Sequence, residues 1–399
     1  MLRCLRLFWE FFKISLFVVG GGYAIIVVAD DVFGRRLKML EEGELLAHLP
    51  IFQMVPGLIA GNTAIYVGLK TAGRVGAAAA LAGAAAPSLL IFLAVSCGYG
   101  LLPVENRFVA GALCGLRAAL TGVVVGTIAR GWRSSVKGVY GHVAVLVACL
   151  LTLGLRMNVA LVMLAAMCAG IAWSLCGGAV ALYVAGGAGV EVKPLSPRMR
   201  VAAAVGGLVA LAAVTAAFGA LFWTFVKFGL LGFGGGFVLV PMYMQTFVGD
   251  SAQLLNIPAE EFSNLMALTQ ATPGPVSVNA ATFFGYRMAG VAGAVVATAA
   301  LLLPSFFLLT AALGGIERWK RSRVVQGILW GVRPATNALM IQAAVTFAGM
   351  SVWRSGAGLS PVACALAVFA AAMLMTRRLS IMATIFLCAA VGAASCFVL

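Results

Sequence analysis

Two kinds of chain break recur inside otherwise apolar segments, and both leave peptide groups with nothing to bond. Pro56-Gly57 and Pro273-Gly274-Pro275 each follow a glutamine by three residues (Gln53, Gln270) and precede an asparagine by six (Asn62, Asn279). Proline removes a helical hydrogen bond and clashes with the preceding turn, so carbonyls before it and amides after it are left open. The triplets Gly20-Gly21-Gly22 and Gly234-Gly235-Gly236 break helices by backbone freedom instead. Hydrocarbon cannot satisfy such groups, which must face protein, water or a solute. A helix amino terminus offers amide donors and a partial positive charge, chemistry that suits a tetrahedral oxyanion. Asn62 and Asn279 can add donors or satisfy the broken backbone.

Cations accompany the breaks. Arg117 and Arg333 lie near the middle of apolar segments, Lys13 and Lys227 lie within others, and Lys70 and Arg287 lie at segment ends. Charge at that depth is a functional signal by default, and cations favour an anionic ligand. Competing readings are close glycine packing for the triplets and snorkelling to headgroups for Lys13, Lys70 and Arg287. His48 and His142 read as interfacial residues at span ends, and Glu10 as a proton site in one half.

These residues come in pairs because the chain repeats itself. Phe8, Trp9, Phe11, Lys13 and the first glycine triplet recur 214 positions later, from Phe222 onward. Gln53, Pro56, Gly57, Asn62, Gly68, Lys70, Gly73, Gly76, Pro87 and Ser88 match Gln270, Pro273, Gly274, Asn279, Gly285, Arg287, Gly290, Gly293, Pro304 and Ser305 at an offset of 217. Arg107, Gly111, Gly115 and Arg117 match Arg323, Gly327, Gly331 and Arg333 at 216. Internal duplication in an apolar chain is the mark of many membrane transporters.

The elements that carry these residues must be membrane helices. With 63% hydrophobic and 10% charged residues, and a mean hydropathy of +1.07, the chain has too little polar surface to cover a soluble globule. Continuous apolar runs exclude an outer-membrane barrel. A hydrocarbon core takes roughly 20 residues of helix, which places spans at 8–29, 46–69, 75–97, 108–129, 139–155, 157–176, 201–220, 222–244, 262–286, 291–316, 324–349, 360–375 and 380–398. The fold class is therefore an all-α integral membrane protein of about 13 spans: two six-helix repeats, 1–190 and 221–399, joined by a linker and connecting helix, 191–220. One extra span between two even-numbered units inverts the second, so the repeats should have opposite topology.

Charge counting tests that orientation. The formal net charge of +15 is spread over short loops and not gathered on one face, which speaks for membrane orientation and against nucleic acid. With the amino terminus in the cytoplasm, sixteen Lys and Arg fall inside and seven outside. Arg35, Arg36 and Lys38 are the exception, on the outer side beside acidic neighbours. The nine cysteines lie mostly in apolar segments without a C-x-x-C and read as packing residues. The amino-terminal apolar stretch carries the repeated motif and reads as structure, not as a cleaved signal.

The run Phe233-Gly234-Gly235-Gly236-Phe237, then Ala271-Thr272-Pro273-Gly274-Pro275-Val276 through Asn279, then Gly285-Tyr286-Arg287-Met288-Ala289-Gly290 and Leu303-Pro304-Ser305, resembles the CHR family of chromate transporters in its two-domain, long-chain form. The first half carries a weaker version, with Leu58 where the second proline would stand and Val27 where Pro241 stands. The resemblance implies a multi-pass carrier of the bacterial inner membrane that exports chromate using the proton-motive force. Its expected substrate is an inorganic oxyanion, with sulfate the chemical relative of chromate, and its expected partners are the bilayer and a second copy in a homodimer. The site residues expected to hold the anion are Gly20, Gly21, Gly22, Gln53, Pro56, Gly57, Asn62, Arg117, Gly234, Gly235, Gly236, Gln270, Pro273, Gly274, Pro275, Asn279 and Arg333. No metal, cofactor or enzyme chemistry is expected. A carrier or channel for another anion, such as sulfate or an organic acid, is the alternative. A membrane enzyme acting on lipid phosphates is more remote, since neither H-E-x-x-H nor a Walker A run occurs.

Overall fold

Chain breaks at the repeated motifs set the architecture of the computed structural model, which describes residues 2–18, 22–101, 103, 106–175, 197–233, 236–249, 252, 254–313, 322–354, 358–376 and 378–395. In chain order the helices are α1 (Leu2–Phe17), α2 (Gly22–Asp30, running on as a π-turn to Arg36), α3 (Glu44–Ala47), α4 (Leu49–Met54), α5 (Ile59–Tyr99), α6 (Arg107–Ser135), α7 (Gly138–Cys149) and α8 (Val159–Leu175). The second half supplies α9 (Pro197–Leu231), α10 (Val240–Phe247), α11 (Ala259–Ala271), α12 (Val276–Leu313), α13 (Arg323–Ser351), α14 (Pro361–Thr376) and α15 (Ile381–Ser395). Two residues after α13 pair as a minimal ribbon, Trp353 with Leu359 and Arg354 with Gly358. The protein is an all-α, multi-pass membrane protein, with α5, α6, α12 and the Ala212–Leu231 part of α9 long and apolar enough to cross a bilayer. The described cysteines are free thiols.

The helices sort into two compact units, and each unit draws on both repeats. One comprises Met1–Ser96, Tyr183–Phe233 and Ser277–Arg321; the other comprises Cys97–Leu182, Gly234–Val276 and Ser322–Leu399.

In the first unit the chain doubles back on itself repeatedly. Phe11 and Phe33 stack with ring centroids 5.0 Å apart, whereas 22 residues of unbroken helix would separate them by about 33 Å. So α1 and α2 fold against each other, and 8–29 is not one crossing. The segment 46–69 also departs from the single span expected of it. Asn62 bonds the carbonyls of Phe52 and Val55, Tyr66 bonds Glu44 and His48, and Lys70 bonds Glu44. Partners fall in number as their counterparts rise, so the arms 44–54 and 59–70 run antiparallel, with Pro56-Gly57 at the tip. From Ile59 to Thr71 the returning arm measures about 20 Å, too short for a core about 30 Å thick.

The chain reverses again inside α5, at Ala72 (φ −144°) and Gly73 (φ 66°). Gly68 and Gly76 then meet backbone to backbone: a Cβ on Gly76 would lie 2.6 Å from the Gly68 carbonyl oxygen. The matched reversal in α12 falls at Ala289 (φ −150°) and Gly290 (φ 58°). There the hydroxyls of Thr282 and Thr298 sit 2.9 Å apart; an unbroken helix would hold them about 24 Å apart. These turns fall where the sequence separates 46–69 from 75–97 and 262–286 from 291–316. A glycine at each turn supplies the left-handed conformation that other residues resist.

The second unit is built on an exchange between repeats. A Cβ on Gly115 of α6 would run into the carbonyl of Cys388 on α15, and one on Gly331 of α13 would run into the carbonyl of Ala166 on α8. Gly392 meets Gly111 and Gly115 as Gly170 meets Gly327 and Gly331. Each repeat's long helix therefore packs on the other repeat's last helix, through matched glycines. Close approach of this kind gains dispersion contact where lipid offers no hydrophobic drive. A hydroxyl pair, Thr121 and Ser351 at 3.0 Å, joins α6 to α13, and Val136, Val145, Ala148, Val162 and Ala338 form a buried cluster around α7.

Replacing Gly331 with Leu should force the α8–α13 crossing open, because backbone and not a movable side chain stands in the way. Overpacking of this kind costs about 1–3 kcal/mol or more. Fluorescence size-exclusion after heating should show a large loss of folded protein. Gly349→Leu, on the same helix with nothing within 4 Å of its Cβ, should be nearly silent.

Candidate functional site

At the tip of the first hairpin the broken backbone is finished by groups from the second half. Gly57 takes φ +110°, and its amide donates to the Gly232 carbonyl at 3.0 Å. Ser305 donates to the Pro56 carbonyl at 2.9 Å. A side chain at Gly57 would collide with the Ser305 hydroxyl. Ser305 belongs to the repeated Pro-Ser pair and Gly232 lies two residues before the second glycine triplet. One half's proline break thus meets the other half's motifs within one compact unit.

Asn62 is fully buried, and its amide nitrogen donates to Phe52 O at 2.8 Å and Val55 O at 3.1 Å. Of its two roles foreseen from sequence, satisfying the broken backbone is the one this geometry performs. Its Oδ1 is buried with no hydrogen-bond partner. Gln53 is half-buried at the end of α4. Asn279 and its counterpart Asn62 are buried, as are their neighbours Ser277 and Val278 in α12 and Ile59 and Ala60 in α5. Gly22 opens α2 and Gly236 opens a short 3-10 turn, while helices end at Phe17 and Leu231. Gly20, Gly21, Gly234 and Gly235 lie outside the described residues, as does the stretch 176–196, which holds the end of the first repeat and the start of the linker.

In the other unit the second proline break caps α11. Gly274 takes φ +102°, and Pro273, Gly274 and Pro275 are half-buried. Arg117 of α6 reaches α11, donating from Nη1 to Glu260 Oε1 at 2.7 Å. Its side chain is 13% exposed against 71% for Glu260, and its Nε is buried without a partner. On the same helix as Glu260, the Oγ of Ser263, the Oδ1 of Asn264 and the Nε2 of Gln270 are also buried with no hydrogen bond. Buried polar groups are nearly always paired, so a row of open ones on one helix marks a place for water or a ligand. Ser263 and Asn264 were not singled out from sequence. Their matches in the first half are Leu46 and Ala47, so comparison of the repeats hides them. Arg333 is half-buried on α13, where its carbonyl accepts from Thr336 and Asn337.

Other charged residues resolve into pairs. Lys13 bridges Glu10 at 2.8 Å along α1, and the Arg287 guanidinium lies 5.9 Å from the Phe283 ring centre. Lys70 is held by Glu44 at 2.6 Å. Burial pushes the Glu44 carboxyl up, but hydrogen bonds from Lys70, Tyr66 and the Glu41 amide outweigh it and leave it below the usual carboxylate range. His48 is 4% exposed and belongs to this network. His142 is exposed and bonds the Gly138 carbonyl. Among the described residues no group of His, Cys, Asp and Glu could hold a metal ion.

Comparison with known proteins gives a consistent result. The family described as "Chromate transporter" matches residues 5–171 and 219–393. The chain is 25% identical over 374 residues to the chromate transport protein of Pseudomonas aeruginosa, covering 88% of this chain and 82% of that protein. It is 26% identical over 362 residues to the uncharacterized transporter MJ0718 of Methanocaldococcus jannaschii, covering 88% and 85%. The uncharacterized transporter YwrA of Bacillus subtilis is 34% identical over 121 residues, 30% of this chain and 66% of that protein. No solved structure matches the chain.

Proposed function

This chain belongs to the chromate transporter family, and from that premise we propose that it is a secondary carrier exporting chromate across the bacterial cytoplasmic membrane at the expense of the proton-motive force. The observation that carries the reading is the family match over residues 5–171 and 219–393, which takes in both sets of broken helices, beside an alignment over 88% of this chain with the Pseudomonas aeruginosa chromate transport protein. A divalent oxyanion needs donors and positive potential. The proline and glycine breaks supply amides, Arg117 and Arg333 supply charge, and Gln53, Gln270 and Asn279 complete the proposed anion-binding set, which Asn62 serves indirectly by holding the broken backbone.

The re-entrant hairpins support an inverted arrangement with fewer crossings than thirteen. If α1–α2 and the Pro56-Gly57 hairpin each return to the side they started from, and their second copies do likewise, each repeat crosses four times and the connecting helix once. Nine is still odd, so the second repeat stays inverted and the carboxyl terminus stays outside. Arg35, Arg36 and Lys38 now move to the cytoplasmic side, turning sixteen against seven into nineteen against four. The former exception disappears. The stretch matching that loop, Val248 to Pro258, contains no Lys or Arg, as an outside loop should. The crossed glycine contacts of α6 with α15 and α13 with α8 fit a two-fold operation, since exchanging the repeats returns the same contacts.

Proteoliposomes test the function. Labelled chromate should move against its gradient when a proton gradient is imposed, and unlabelled chromate on the far side should speed exchange. Sulfate should compete, as a divalent tetrahedral anion. Flux without trans-stimulation would indicate a channel, and sulfate or organic-acid flux without chromate flux would reassign the substrate.

A further inference from the structure

Four ionisable groups meet at the base of the first hairpin, and a count of hydrogens among them is informative. The Nδ1 of His48 lies 2.8 Å from the Glu44 carbonyl, which can only accept, so Nδ1 carries a hydrogen. The Nε2 of His48 lies 3.2 Å from the Tyr66 hydroxyl, and that hydroxyl lies 2.7 Å from Glu44 Oε1. Tyr66 has one hydrogen for two neighbours. If His48 is neutral and Glu44 ionised, both neighbours are bare acceptors and one contact goes unbonded. Both become hydrogen bonds only when the trio holds one extra proton. That proton sits on Nε2, with the phenol donating to Glu44, or on Glu44, with the phenol donating to Nε2. Moving two hydrogens along the chain interconverts them, with no atom gained or lost.

Surrounding charges select between these forms. Lys70 Nζ lies 2.6 Å from the same Oε1, and the Glu41 amide donates to Oε2 at 3.0 Å, which favours an ionised Glu44 and the proton on His48. Asp30 is committed to the amides of Gly43 and Leu45. Tyr66, His48 and Glu44 are all buried, so the proton does not exchange freely with bulk water.

The second repeat separates structural from chemical parts. At the offset of 217, Glu44 and Lys70 match Glu261 and Arg287, so the opposite charges recur. His48 and Tyr66 match Leu265 and Phe283. Both members of the relay are missing together, while the charged pair that could pin a hairpin base is kept.

We propose that Glu44, Tyr66 and His48 form a proton-binding relay that takes up one proton when the first hairpin has the geometry seen here and releases it when the arms part. The relay couples the carrier of the preceding section to a proton gradient, and to that extent it rests on the transport reading. Its location explains why one hairpin suffices: arms 44–54 and 59–70 are joined at the base by this network and end at the Pro56-Gly57 tip.

The test uses His48→Leu and Tyr66→Phe in the full-length protein, substitutions that copy Leu265 and Phe283 at the matching positions of the second repeat. In proteoliposomes held at zero membrane potential, an imposed pH gradient should stimulate wild-type chromate accumulation, raising its steady-state concentration ratio about tenfold for each pH unit if one proton moves per chromate. Both variants should lose that stimulation and keep chromate-for-chromate exchange within about twofold. Undiminished stimulation in both variants would overturn the proposal. Proton binding is read separately, by nitrogen-15 NMR of labelled histidine in nanodiscs with His142→Gln removing the other signal. Both ring nitrogens of His48 should carry hydrogen in the resting protein, and Tyr66→Phe should leave Nε2 bare. A bare Nε2 beside an ionised Glu44, the latter read by carbon-13 NMR of labelled glutamate in otherwise unaltered protein, would overturn the relay. Titration of His48 in a protein that moves no oxyanion would instead sink the transport reading and leave the relay standing.

Discussion

Gly57→Val should abolish chromate flux, by at least a factor of about 100, equivalent to about 2.7 kcal/mol. Three constraints coincide at this residue. Its φ of +110° is one that a β-branched side chain resists, at about 1–3 kcal/mol. Its Cβ would occupy the place of the Ser305 hydroxyl, which also holds the Pro56 carbonyl. Its amide donates to Gly232, so a shift that relieves the collision breaks that bond. The variant should still reach the membrane, because the arms are joined independently through Asn62, Tyr66 and Lys70. Gly43→Ala separates the terms, since Gly43 has φ +79° but nothing within 4 Å of its Cβ. It should lose little flux. Combining Gly57→Ala with Ser305→Ala should recover part of what Gly57→Ala loses, and strict additivity would show that the collision is not the cause.

How far the molecule is legible from its residues depends on what a lipid environment lets a pattern reveal. The repeats, the broken helices and the reversals near Gly73 and Gly290 are all visible in sequence, because glycine and proline act locally. The hairpin over 44–70 is not. In a soluble protein the solvated face of each arm would show a polar stripe, but an arm buried on all sides is apolar all round. Two half-helices joined at Pro56-Gly57 then have the length and composition of one crossing. On the proposed topology, the misplaced Arg35, Arg36 and Lys38 are the trace that folding back leaves in the sequence, and they report on 8–29 and not on this hairpin.

Side-chain roles divide in the same way. Arg117 stands out as a lone cation in an apolar run, and the structure does place it against α11. Its partner Glu260 matches Gly43, and the open polar atoms of Ser263 and Asn264 match Leu46 and Ala47. Looking for residues common to both halves finds the scaffold and passes over whatever one half does alone. The first half carries the buried Glu44, His48 and Tyr66 network, and the second carries the polar row of α11. Divergence between copies is therefore as informative as their identity.

The polar row makes the last prediction an asymmetric one. Arg117→Gln should lower chromate flux by about 100-fold or more, whereas Glu260→Gln should lower the chromate concentration for half-maximal flux by about tenfold, equivalent to about 1.4 kcal/mol. In the structure the Glu260 carboxylate occupies the guanidinium at 2.7 Å, so a divalent anion must displace it. Removing that competitor leaves a cation whose side chain is 13% exposed, poorly solvated and short of a partner, which an oxyanion can satisfy. A pair with a purely structural role predicts something else. Truncating either member would then reduce folded protein in the membrane, most of all Glu260→Gln, which strands the less exposed charge, and flux per folded molecule would be unchanged in both. The double variant should behave as Arg117→Gln, because a competitor matters only while the group it competes for is present. Equal and parallel losses in the two single variants would remove Arg117 from the anion-binding set. Arg333→Gln, its repeat counterpart, would then remain the place to look for the charge that holds the anion.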